Sequence, residues 1–270
     1  MLICQITDCH VVEPDKLLYG RVDTAAGLRE AVAHIEAMVP RPDVVIATGD
    51  LVNAGRPSQY EHLASLLRPI DVPVYPVPGN HDDRTAMRAC FDALAPGGPD
   101  DPIDYVIDDH EVRLIGLDTS IPGRHDGRLS PHQLTWLDEQ LALAPETPTL
   151  LFLHHPPFRT GIDWMDASGL AGREALAAVV ARHDQLGTIV CGHLHRPIQA
   201  LVGGAVATTW PSTGAQVALA LDGTPHQYVD ERPAVALHLW HPEAGVVSHT
   251  SFVGSPRTWI PSWVTDNSLD

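Results

Sequence analysis

Five short apolar runs in this chain each stop on residues that bind metals or carry protons. "LICQIT" runs into Asp8-Cys9-His10, "VVIAT" into Gly49-Asp50, and "VYPV" into Pro78-Gly79-Asn80-His81-Asp82-Asp83. "LLFL" runs into His154-His155, and "TIVC" into Gly192-His193-Leu194-His195. The β-rich runs, at 2–7, 44–48, 74–77, 112–117, 149–153 and 188–191, alternate with helical patterns. Leu28, Ala31, Val32, Ile35 and Val39 recur at helical spacing behind Asp23 or Thr24 as a cap. Ser130-Pro131-His132-Gln133 has the form of a capping box opening a helix to about residue 143, and 173–182 reads as another helix. Such alternation predicts an α/β core with helices outside the strands. In an α/β sheet the carboxyl ends of the strands border the crevice where ligands bind, so the five polar endings are expected in one place.

Pooled, the endings offer Asp8, His10, Asp50, Asn80, His154, His193 and His195. These are oxygen and imidazole nitrogen donors with no thiolate. Such a set suits first-row metals with open, water-bearing positions rather than a closed structural zinc site. The set is too large for one such ion and matches two ions sharing a carboxylate. In an extended segment the donors of D-x-H and of H-x-H fall on one face. Glycines ahead of Asp50, Asn80 and His193 permit sharp turns and close backbone approach. The formal net charge of -17 repels a polyanion such as duplex nucleic acid over most of the surface. Two carboxylates against two divalent ions leave about +2 locally, which can still hold a small phosphate ester.

In this order D-x-H, G-D, G-N-H-D, H and G-H-x-H resemble the signature of the calcineurin-like metallophosphoesterases, over roughly the first 200 residues. "LLYG" at 17–20, "GRPSQY" at 55–60, "PGNHDD" and "HHPP" are similar to the class III cyclic nucleotide and glycerophosphodiester phosphodiesterase branch. The resemblance implies a four-layer αββα sandwich with a small β-rich C-terminal cap used in assembly of a homo-oligomer. It also implies that Asp8, His10 and His195 hold one metal and Asn80, His154 and His193 the other, with Asp50 bridging. Iron, manganese, zinc and cobalt are the candidate ions. His81 is implied to stand beside the metals and act on substrate oxygens, protonating a leaving alkoxide or stabilising phosphoryl charge. Tyr19 is implied to line the substrate pocket. Members that cleave glycerophosphodiesters tend to carry a His beside the Gln of the cap segment, where this chain has Ala215 and Gln216. The alcohols of the diester therefore stay open.

Asp82 is expected to orient His81 or a ligand, and His155 to face away from the ligand His154. Cys9 should face the core. Asp118, His125, His183 and His226 are read as solvated or structural. The catalytic core is expected at 1–196, a β-rich cap at 197–255, and a tail at 256–270 whose Trp259 and Trp263 pack on the core or on a neighbouring subunit. Cys4, Cys9, Cys90 and Cys191 form no CxxC pair, which favours a reducing compartment. With no signal-peptide pattern and no long apolar run, a cytoplasmic protein without membrane partners is expected.

The leading functional expectation is a dinuclear phosphodiesterase in which a metal-activated hydroxide attacks phosphorus in line. Its substrates would be small diesters, either 3′,5′-cyclic nucleotides or glycerophosphodiesters. A phosphomonoesterase on the same site is one alternative, for which Arg84 and Arg196 are the nearest cations in sequence. A non-catalytic scaffold is another, but scaffolds of that kind lose ligands and this chain has them all.

Overall fold

The computed structural model describes residues 1–91, 94–254 and 258–261. The first half runs β1 (Leu2–Ile6), α1 (Thr24–Glu36), β2 (Val44–Thr48), α2 (Pro57–Leu67), β3 (Val74–Val77), α3 (Arg84–Cys90), β4 (Tyr105–Ile107) and β5 (Arg113–Leu117). It continues with β6 (Gly127–Arg128), α4 (Pro131–Leu143), β7 (Thr149–Leu153), α5 (Asp163–Asp166), β8 (Leu170–Ala171), α6 (Arg173–Val180) and β9 (Leu186–Cys191). The last third is all strand: β10 (Ile198–Val202), β11 (Ala205–Thr209), β12 (Gln216–Val217), β13 (Tyr228–Val229), β14 (Ala234–His241) and β15 (Gly245–Phe252).

Two large sheets result, ordered β15-β14-β1-β2-β3 and β10-β11-β9-β7-β5-β4, with two-stranded ribbons β6-β8 and β12-β13 beside them. Strands buried on both faces separate their side chains by alternation. Ile3, Val44, Ile46 and Val77 of the first sheet meet Leu114, Leu150, Phe152 and Val190 of the second. On the reverse faces Ile6, Val45 and Ala47 pack under Leu28, Ile35, Leu63 and Met87 of α1 to α3. Ile115, Leu151 and Ile189 pack under Leu137, Leu141 and Leu176 of α4 and α6. The four-layer αββα sandwich follows directly.

Local signals in the sequence explain the helix starts. Asp23 caps α1 by accepting from the Ala26 N–H, and Ser130 with Gln133 forms the expected capping box. Helices α2 and α3 extend the expectation. The seven residues of α3 are too few to show a period, although Asp83 caps it through the Ala86 N–H. Residues 197–254 do not form one separate layer. β11 pairs with β9, and β14 with β1, because their buried apolar faces complete the sheets. Only the β12–β13 ribbon and the loop joining it stand apart. β12 is only two residues long and pairs with the equally short β13. Trp259 is 80% exposed and so does not pack on the core. Trp263 lies outside the described residues. No helix among those residues is long and apolar enough to cross a membrane.

Candidate metal centre and active site

β1, β2 and β3 run parallel, as do β7 and β9, and the residues following their carboxyl ends converge. Asp8, Asp50 and His154 form one cluster of donor atoms within 4.8 Å of one another, and Asp8, His10 and His195 form another. His154 Nε2 also lies 3.2 Å from Asn80 Oδ1. Asp50 Oδ2 stands between the two halves, 3.6 Å from His10 Nε2 and 3.5 Å from His154 Nε2.

The convergence has a different cause from the extended alternation expected. Asp8, His10, Asp50, His193 and His195 all have φ between 44° and 71°. Left-handed backbone is costly for residues with a Cβ and is found where the surroundings enforce it, often at functional sites. β1, β2 and β9 therefore end in a curl that aims the next side chain into the crevice. Two glycines make room. At Gly49, with φ of +85°, a Cβ would lie 2.6 Å from the Gly79 nitrogen and from His154 Nδ1. At Gly192 a Cβ would collide with Thr7 Oγ1 and the Asp8 carboxylate.

Hydrogen bonds then fix Asp8, Asp50, His154 and His195. Thr7 Oγ1 and the His193 N–H donate to the Asp8 carboxylate, and the His81 N–H donates to Asp50 Oδ1 over 2.8 Å. His154 Nδ1 donates to the Thr48 carbonyl over 2.8 Å, and His195 Nδ1 donates to the Ala215 carbonyl. In a neutral ring that tautomer leaves the Nε2 lone pair directed at the cluster, as metal-ligating imidazoles require. His193 Nε2 is buried with no hydrogen-bond partner. That nitrogen groups with those of His154 and His155 within 4.8 Å, an arrangement that fits a metal ligand better than a packed core.

The electrostatics agree. Burial lowers His10 to about 3 and His193 well below its ordinary value. Burial would also lower His154, but Asp50 beside it outweighs this and lifts it to about 9. Asp8 and Asp50 are held below the carboxylate range despite burial, by His195 and His154 respectively. Two buried carboxylates thus stay charged and attract whatever positive charge is offered, protons or metal.

Asp82 accepts from the N–H groups of Leu51, Val52 and Gly79 and from the Tyr60 hydroxyl, tying the loop after Asp50 to the turn carrying Asn80. His81 Nδ1 donates to the Asn53 carbonyl over 2.7 Å, and its Nε2 reaches 4.0 Å from Asp50 Oδ2. Cys9 is buried, as expected. Asp118 is engaged by Arg84 at 2.6 Å and His183 by Asp138 at 2.7 Å, both away from the cluster.

His155 does not point away. Its ring lies 4.6 Å from that of His193, while its nitrogens bond Thr119 Oγ1 and the His125 carbonyl. The turn at His154, not strand alternation, sets its direction. His125 and His226, expected to be solvated or structural, both line the site cavity of about 330 Å³ together with Tyr19, Trp164 and Tyr228. They sit in loops brought in from distant parts of the chain, and no local pattern marks them. Gln216, by contrast, bonds the backbone of Ser212 and is absent from the lining.

A crevice of carboxylates and imidazoles at the strand ends of an αββα sandwich defines a metallophosphoesterase. The family model for calcineurin-like phosphoesterases matches residues 1–197, and the chain belongs to that family. It is 38% identical over 256 residues to the probable glycerophosphodiester phosphodiesterase GpdQ of Arcobacter nitrofigilis, covering 94% of each. It is 33% identical over 215 residues to the 3′,5′-cyclic adenosine monophosphate phosphodiesterase CpdA of Escherichia coli, covering 79% of this chain and 76% of that one. Among solved structures, a dimetal phosphatase from Danio rerio shares the fold with a TM-score of 0.64 at 18% identity, covering 94% of this chain and 99% of that one.

Proposed function

We propose that the chain is a dinuclear metal-dependent phosphodiesterase acting on small diesters. The observation that carries this reading is the Asp50 carboxylate set between two groups of donors, one around His10 and one around His154. Asp8, His10 and His195 would hold one ion, Asn80, His154 and His193 the other, and Asp50 both. The oxygen and imidazole set fits iron, manganese, zinc or cobalt. When bound, a pair of such ions supplies Lewis acidity and makes water nucleophilic near neutral pH.

The remaining work falls to the chain. His81 is locked by Asn53 with Nε2 toward the cavity, where a protonated ring can give its proton to the departing alkoxide. Asp82 keeps Asp50 and Asn80 in register by clamping the backbone of both loops. Preference for a diester over a monoester rests on charge. No Lys or Arg lines the cavity among the described residues. Arg84 is held by Asp118, and Arg196 by the Val217 carbonyl and Glu231. A dianionic monoester would thus find no side-chain cation there. Relatives named for glycerophosphodiesters and for cyclic nucleotides support the same class.

The buried thiols of Cys4, Cys9 and Cys191 support a reducing compartment such as the cytoplasm. Exposed Leu219, Leu221 and Val229 around the ribbon support assembly through the region after residue 196. Metal reconstitution tests the proposal. Anomalous scattering should show two ions about 3.5–4 Å apart, held by the seven donors. A single occupied position at saturating metal would contradict it.

A further inference from the structure

Ile3, Ile46, Leu150, Phe152 and Val190 pack in the layer between the two sheets. β1 also places Gln5 there, on the face it shares with Ile3. Gln5 is buried, and a buried amide is costly unless its groups are paired. Its Nε2 donates twice, to Thr48 Oγ1 over 2.7 Å and to the Cys191 carbonyl over 3.0 Å. Its Oε1 accepts from His238 Nε2 over 3.0 Å, and Ser248 Oγ donates to Nδ1 of that ring over 2.8 Å. Because the Cys191 carbonyl can only accept, the amide has one orientation, nitrogen toward Cys191 and oxygen toward His238.

Both partners of that nitrogen stand at the same place relative to the metal ligands. Thr48 is the last residue of β2 and Cys191 the last of β9. Asp50 follows the one, and His193 the other, at the second residue beyond. Thr48 is held from the opposite sheet as well, since His154 Nδ1 donates to its carbonyl over 2.8 Å. Strands of the first sheet lead into Asp8, Asp50 and Asn80, and strands of the second into His154, His193 and His195. The two groups of ligands therefore ride on different sheets. Apolar packing between sheets is non-directional, whereas a hydrogen bond has a defined length and angle. The core does not itself require an amide at this point. Ile46, paired with Gln5 across the strands, is apolar, and a Leu beside it would need no partners.

We infer that Gln5 is a positioning residue of the metal centre, joining the ends of β2 and β9 and so fixing the distance between the ligands of the two sheets. This role rests on the two-metal reading and adds the side chain that sets the spacing. His238 keeps the amide turned the right way from behind, and neither residue touches substrate or metal.

The test separates positioning from stability. Gln5→Leu removes both donors and leaves His238 Nε2 without its acceptor, so the melting temperature should fall. Combining Gln5→Leu with His238→Leu removes the orphaned group and should recover much of that loss. In the manganese(II)-loaded protein, the exchange coupling seen by electron paramagnetic resonance depends on the separation of the two ions and needs no substrate. The coupling should differ from wild type in both variants. In both, kcat on bis(p-nitrophenyl) phosphate should also fall roughly tenfold or more, with KM nearly unchanged. Return of the wild-type spectrum and kcat in the restabilised double variant would overturn the role and make Gln5 a core residue only. An unchanged spectrum in Gln5→Leu would overturn it equally. An uncoupled spectrum in the wild-type protein would defeat the two-metal reading itself, and the positioning role with it. Altered coupling in the variants, with no diester turned over by the wild type, would defeat the phosphodiesterase reading and leave the positioning role standing.

Discussion

The Asn80 side-chain amide donates to Nδ1 of His125 over 3.2 Å. Because the nitrogen of Asn80 is engaged there, its oxygen faces His154 Nε2, 3.2 Å away. His125 thereby decides which end of the amide a metal would meet. Such outer partners typically change metal affinity 10–100-fold. His125→Ala should weaken binding of one ion by roughly tenfold or more and leave the other nearly unchanged, while His125→Gln, which keeps an acceptor, should recover part of the loss. Metal titration followed by elemental analysis reads this. Equal weakening of both ions would remove His125 from the role.

Asp50 makes a contrasting prediction. It lies within 3.6 Å of donors on both sides, so Asp50→Ala should lose both ions, whereas His10→Ala should lose mainly one. Metal content after gel filtration distinguishes the two. Retention of two tightly held ions in Asp50→Ala would sink the bridging assignment.

The strands of the α/β core and the residues that gather at their ends were legible because each depends on a local pattern, an apolar run followed at once by its polar ending. What the sequence did not show was how the endings converge. D-x-H and H-x-H do not converge by extended alternation: Asp8, His10, His193 and His195 take left-handed backbone, which Asp and His adopt more readily than most residues but which their mere presence does not announce. His125 and His226 were unreadable for another reason. Their neighbours in space, Asn80 and Trp164, lie 45 and 62 residues away in the chain, and only the folded loops bring them together. The C-terminal strands misled in the opposite sense. Their composition differs from the first half, yet β14 sits beside β1 because its buried face continues the first sheet.

His81 should be required in proportion to how poor the leaving group is. His81→Ala should keep both metals and lose roughly 10²–10⁴ in rate on diesters with alkyl leaving groups. On p-nitrophenyl esters, whose leaving group scarcely needs a proton, the loss should be much smaller. Equal losses on both would show that His81 binds phosphate rather than donating the proton.

His238 makes stability depend on pH. It is buried between the sheets, with Nε2 donating to Gln5 Oε1 and Nδ1 bonded to Ser248 Oγ. Burial, with a smaller contribution from His249, lowers it to about 3. Since the unfolded value is about 6.5, the unfolded chain binds the extra proton between these limits. Its contribution is complete above about pH 6.5 and is lost progressively as pH falls toward 3. By pH 5 this single group should cost about 2 kcal/mol. Urea unfolding at pH 7 and pH 5 should show a correspondingly smaller difference in His238→Gln. An unchanged difference would mean that the ring does not stay neutral in the folded state.

The central claim is that the crevice hydrolyses phosphodiesters, and a kinetic comparison on one metal-reconstituted preparation tests it most directly. Bis(p-nitrophenyl) phosphate carries one negative charge and p-nitrophenyl phosphate two, while the cavity offers metal ligands and no lining Lys or Arg. The diester should be cleaved with the higher kcat/KM, and activity should fall to background when the metals are removed and return when they are restored. A clear preference for the monoester would contradict the account and make the protein a phosphatase.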